Sequence, residues 1–81
     1  MSLQKYEALL KTIELGSISR AAEQMGYTQS AVSRMIADLE SEWGMELLRR
    51  SRAGIVVCPA GERLLPILRA ISADCAKLRY T

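Results

Sequence analysis

Between residues 28 and 34 the chain reads TQSAVSR, an amide and a guanidinium set among short hydroxyl side chains. Gln29 offers a paired donor and acceptor that fits the N6/N7 edge of adenine. Arg34 carries a five-donor fork that fits the O6/N7 edge of guanine or a phosphate. Thr28, Ser30 and Ser33 are short enough to let a helix come close to a partner, and their hydroxyls suit phosphate oxygens. A hydrated helix start would use the same residue types, so the stretch alone leaves both readings open. Other chemistries find little support. The chain has no histidine and only two cysteines, Cys58 and Cys75, which removes Cys–His catalysis and leaves too few thiolates for a structural zinc site. It also lacks a glycine-rich phosphate loop, and its carboxylates fall on surface-like positions. No enzyme activity, metal or cofactor is therefore expected. Both cysteines are read as reduced thiols, and Cys75 as packing rather than a redox sensor.

Composition sets the frame in which such a stretch must sit. With 81 residues, 49% hydrophobic and 25% charged, the chain is one small globular unit with a modest core. No apolar run is long enough to span a bilayer, and MSLQKYEALL has no signal-peptide pattern, so a cytoplasmic location away from membranes is expected. The net charge of +2 is a weak pointer to an anionic partner, but its distribution is uneven. Asp38, Glu40, Glu42 and Glu46 fall in a stretch without a base, and Arg49, Arg50 and Arg52 follow at once.

Helical spacing of Leu3, Tyr6, Leu10 and Ile13, with Leu9 alongside, predicts a first helix ending near Gly16. Ser17 caps a short second helix over Ile18 to Met25, whose Ala21 and Ala22 admit a close neighbour. Gly26 ends it, Thr28 is the next cap, and Val32, Met35, Ile36, Leu39 and Trp43 form the stripe of a third helix over 28–43. Tyr27 and Val32 occupy the two positions of a hydrophobic staple. Beyond Gly44 the pattern predicts a hairpin with strands Leu47 to Ser51 and Ile55 to Cys58 and a turn at Ala53-Gly54. Pro59 suits the first position of a fourth helix, which Pro66 is expected to kink. Along that helix Leu64, Leu68, Ile71, Cys75 and Leu78 keep the steps of a coiled-coil seam. The seam either folds back on the first helix or joins two copies of the chain, and the second is the expectation.

The fold class is therefore mainly α: a winged helix-turn-helix of three helices and a β-hairpin wing, followed by a long linker/dimerisation helix. At this point the chain resembles the N-terminal DNA-binding domain of LysR-type transcriptional regulators. The likeness runs through ELGSISRAAEQMGYTQSAVSRMIADLESEWGMELLRRS and CPAGERLLP. The family's usual pattern has phenylalanine at the places of Ile18 and Leu48, often proline at Ser30, and threonine at Cys58. The first two changes stay apolar. Cys58 loses a capping hydroxyl, a change that typically costs ~1 kcal/mol.

The resemblance implies a recognition helix over 28–43 in the major groove of double-stranded DNA and a wing over 47–58 on the adjacent minor groove or backbone. It implies base or phosphate contacts from Thr28, Gln29, Ser30, Ser33 and Arg34. Backbone charge then comes from Arg20, Arg50 and Arg52, with Arg52 suited to a narrow minor groove. Residues 1–58 form the DNA-binding unit and 59–81 the linker helix, through which a homodimer reads an interrupted inverted repeat. The family's effector-binding domain is absent from these 81 residues, so a small-molecule effector is expected only where such a domain follows. Two rival functions stand beside this one: a winged helix used only for protein contacts, and a short regulator that titrates full-length relatives by heterodimerisation. Arg49, Arg50 and Arg52 also fit a guard role against edge-to-edge strand pairing, which can coexist with DNA contact.

Overall fold

In a computed structural model describing residues 3–79, the chain forms α1 (Leu3–Leu15), α2 (Ile18–Met25), α3 (Gln29–Trp43), β1 (Leu48–Ser51), β2 (Gly54–Val57) and α4 (Pro59–Arg79). The outer ends of the two expected units, residues 1–2 and 80–81, lie outside the described residues. Helix α1 is the hub, because α2, α3 and α4 all pack on it. Burial therefore spreads beyond one stripe: Ala8, Leu9, Leu10 and Thr12 are buried, whereas Leu3, expected on the apolar face, is 47% exposed. The Thr12 hydroxyl donates to the Ala8 carbonyl at 2.8 Å, which satisfies a polar group placed inside the core.

Local rules shape α2 and α3. Ser17 Oγ accepts from the N–H of Arg20, and Thr28 Oγ1 accepts from the N–H of Ala31, so each helix start has its orphan donors partly satisfied. Between them Gly26 adopts φ 72°, the left-handed turn that lets the N–H of Tyr27 reach the Ala22 carbonyl at 2.9 Å. The α3 stripe points inward as its spacing predicts, with Val32, Ile36 and Leu39 buried and Met35 and Trp43 packed at the edge. Trp43 stacks on Tyr6 of α1, ring centroids 5.7 Å apart.

The wing departs from expectation in register. Its strands pair Leu48 with Val57, Arg49 with Val56, Arg50 with Ile55 and Ser51 with Gly54, so Arg52-Ala53 makes the turn. Gly54 belongs to β2, and Leu47 and Cys58 lie just outside the strands. Two features call for glycine at 54, one local and one tertiary. Its φ is 122°, and an added Cβ would sit 3.3 Å from the Gly16 carbonyl, where the wing approaches the α1–α2 loop.

Leu47 anchors the wing's base. It is fully buried, and its carbonyl accepts from the N–H of Cys58 at 2.9 Å. Gly61 on the first turn of α4 packs so tightly there that a Cβ would stand 2.6 Å from the Leu47 oxygen. Helix α4 runs on through Pro66, and its Leu68 is 3% exposed in the protomer's own core, with Leu64 and Leu65 packed against that core. Ile71 and Cys75 line a narrow seam against Leu3, Tyr6 and Leu10 of α1. Leu78, by contrast, is 80% exposed. The expected seam thus folds back on the protomer from Leu64 to Cys75, and Leu78 alone of its five residues stands clear.

Candidate nucleic-acid interface

Because its opposite face is buried, α3 must present its polar residues outward. Gln29, Ser30 and Arg34 are exposed, and Ser33 is half-buried. The Thr28 oxygen is occupied as the helix cap, which leaves its hydroxyl hydrogen available to give. Arg20, Gln29, Arg50 and Arg52 line one open cleft of about 530 Å³ between the start of α2, the start of α3 and the wing. Four of the eight expected contact residues thus converge from three elements. Ser33 joins them indirectly, for Arg50 Nη2 donates to its hydroxyl oxygen at 2.8 Å. Thr28, Ser30 and Arg34 do not line the cleft and lie along the outer part of the helix start.

Charge is sorted over the same surface. Lys5 pairs with Asp38 at 3.2 Å, Arg69 with Glu14 at 3.8 Å and Arg49 with Glu46 at 2.6 Å. Among the described residues, Arg20, Arg34, Arg50 and Arg52 have no carboxylate within ion-pair distance. Neighbours on a strand point to opposite faces, so Arg49 and Arg50 part company: one is neutralised, the other faces the cleft. On the far face Arg49 holds the Glu46 carboxyl below its ordinary value, helped by a hydrogen bond from Cys58. Partial burial and the same carboxylate push the Cys58 thiol up, and its sulfur points at Glu46 (3.4 Å) rather than capping α4. Both cysteines are free.

One positioning residue escaped the sequence reading. Glu40, placed there with the acidic C-terminal half of α3, is half-buried and its Oε2 accepts from the N–H groups of Leu47 (2.7 Å) and Leu48 (3.3 Å). A single carboxylate of α3 therefore holds the chain where it enters the wing. The contact spans Gly44 and a change of chain direction, so no local pattern announces it.

Residues 3–62 match a family model described as "Bacterial regulatory helix-turn-helix protein, lysR family". The chain belongs to the LysR family. It is a LysR-type helix-turn-helix DNA-binding domain, of the kind that serves transcription regulation. Over 74 residues, 91% of its length, this LysR-family chain is 44% identical to the "Probable nitrogen assimilation transcriptional activator" of Synechococcus elongatus, and it covers 24% of that protein. It is 41% identical over 64 residues, 79% of its length, to the HTH-type transcriptional regulator TdcA of Escherichia coli, covering 20% of it. The chain thus spans about a quarter or less of these relatives' length. Among solved structures, the CbnR DNA-binding domain in complex with DNA superimposes with a TM-score of 0.83 at 26% identity, each chain covered completely. The winged helix expected from the sequence is thereby the fold of LysR DNA-binding domains. Among the described residues no helix is long and apolar enough to cross a membrane.

Proposed function

We propose that the chain binds double-stranded DNA sequence-specifically to regulate transcription, with the start of α3 in the major groove and the wing on the adjacent minor groove or backbone. The observation that carries this reading is the sorting of charge. The arginines that flank the start of α3 keep no internal carboxylate, whereas Arg49 and Arg69, on other faces, each pair with a glutamate. An unneutralised arginine cluster around an exposed amide is what counterion release and base readout both require. The likeness to a domain solved on DNA supports the same assignment. In it, Gln29 and Arg34 read base edges, Thr28 and Ser30 adapt to base or phosphate, Arg20 and Arg50 hold the backbone, and Arg52 enters the minor groove.

Residues 1–58 act as the reading unit and 59–81 as the linker helix that joins two protomers over an interrupted inverted repeat. The exposed Leu78, with the outer edges of Ile71 and Cys75, supplies the apolar strip for that contact. A small-molecule effector enters only through a further domain of the kind the family carries. The deciding experiment is selection of bound sequences from a random duplex pool at two salt concentrations. Recovery of an interrupted inverted repeat supports a dimeric sequence reader. Recovery of nothing above background at the lower salt moves the reading to a winged helix used for protein contacts.

A further inference from the structure

We propose that Ser33 is a positioning residue for Arg50: its hydroxyl accepts from the guanidinium and holds it over the gap between α3 and the wing, where it takes a backbone phosphate of the bound strand. The proposal rests on the DNA-binding reading and adds to it a mechanical link between the reading helix and the wing.

Ser33 and Arg50 lie on different elements and meet at 2.8 Å, Nη2 to Oγ. Together with Ile18, Ile36, Glu40, Leu48 and Ile55 they line a recess of about 200 Å³ between α2, α3 and the wing. Ser33 is half-buried, unlike the exposed Gln29, Ser30 and Arg34, and one of its two lone pairs is already engaged by Arg50, so it is less suited to base readout than they are. The guanidinium has five donors and spends one here, which leaves a phosphate-binding edge intact. Arg50 is also anchored through its backbone, which pairs with Ile55, and it lines the neighbouring cleft with Arg20 and Arg52. An arginine ordered before DNA arrives loses less freedom on binding than one that must be ordered by it. The wing's register at this point is held from the other end by Glu40, so the contact joins two parts already fixed in distance.

The test is a double-mutant cycle on duplex affinity with Ser33→Ala, Arg50→Ala and both together, each measured across a salt series on the selected duplex and on single-base variants of it. Alanine suits an α3 interior, so Ser33→Ala should fold; circular dichroism on each variant checks this. Arg50→Ala should weaken binding on the order of tenfold and reduce the salt slope by about one per protomer. Ser33→Ala should lower affinity and slope in the same sense, leave base preference unchanged, and cost nothing further once Arg50 is alanine. Independent losses in the double variant, or a base preference altered at one position, would overturn the proposal while leaving DNA binding standing. A wild-type chain that binds no duplex overturns both readings.

Discussion

Gln29 and Arg34 stand exposed on the first turns of α3 with the helix's apolar stripe locked behind them, so each can be truncated without disturbing the core. Gln29→Ala or Arg34→Ala should relax preference at one base position by roughly 1–3 kcal/mol while leaving general duplex affinity largely intact. Binding to single-base variants of the selected site measures this, and an unchanged preference in both would remove them as base readers. The Cys58 thiol makes a separate prediction. Partial burial and the Glu46 carboxylate push its pKa up, so less thiolate is present at neutral pH than in the unfolded chain. Alkylation of Cys58, followed by peptide mass spectrometry, should run slower in the folded protein than in denaturant, and Glu46→Gln should speed it. The sign for Glu46 is the reverse. Its carboxyl is lowered from 4.5, so its contribution is present above that pH and fades as pH falls through the lowered value. It is a small contribution, because the pair is exposed. The outward placement of Gln29 and Arg34 was legible, because it follows from the apolar stripe on the opposite face of the same helix. Glu40 was not, since its role depends on the N–H groups of Leu47 and Leu48, which only the folded turn brings within reach.

At the scale of elements, the wing is positioned by three attachments: Glu40 to Leu47 and Leu48, the Cys58 N–H to the Leu47 carbonyl, and Gly61 against Leu47. Glu40→Ala removes a charged acceptor from two backbone donors and should cost about 1.5–3 kcal/mol. Faster amide exchange at Leu47 and Leu48 would report the loss locally. Gly61→Ala forces a methyl into a 2.6 Å gap against backbone, and overpacking of this kind costs about 1–3 kcal/mol. In a domain of this size each kcal/mol lowers Tm by roughly 4–8 °C, so a thermal melt decides it; an unshifted Tm would mean that α4 yields freely at its first turn. The helices themselves were legible because their caps, stops and apolar spacing are local. The hairpin's existence was legible too, but its register was not. Ala53-Gly54 has turn chemistry, yet Gly54 pairs with Ser51 and belongs to β2, so the turn falls one residue earlier, at Arg52-Ala53.

The molecule as a whole measures 42 × 25 × 20 Å, drawn out by a fourth helix of 21 residues. Leu78, 80% exposed in the protomer, is the cleaner probe of the proposed dimer than Ile71, which is half-buried beside α1. Leu78→Glu should convert a dimer to a monomer by analytical ultracentrifugation with helical content unchanged, and a dimer that survives it would rule out this strip as the contact. If each protomer neutralises about three to four phosphates, the dimer's log affinity should fall against log salt with a slope near −5 to −7. By itself the sequence determined the element order, the caps, the inward stripe of α3 and the polar residue types on its outer face, because each depends on neighbours a few positions apart. Tertiary structure decided how α1 is wrapped from three sides, how much of the α4 seam is spent inside the protomer, where the wing turns, and which arginines remain unpaired. Those outcomes depend on which distant groups compete for the same space or charge, and that competition is settled only when the chain closes on itself.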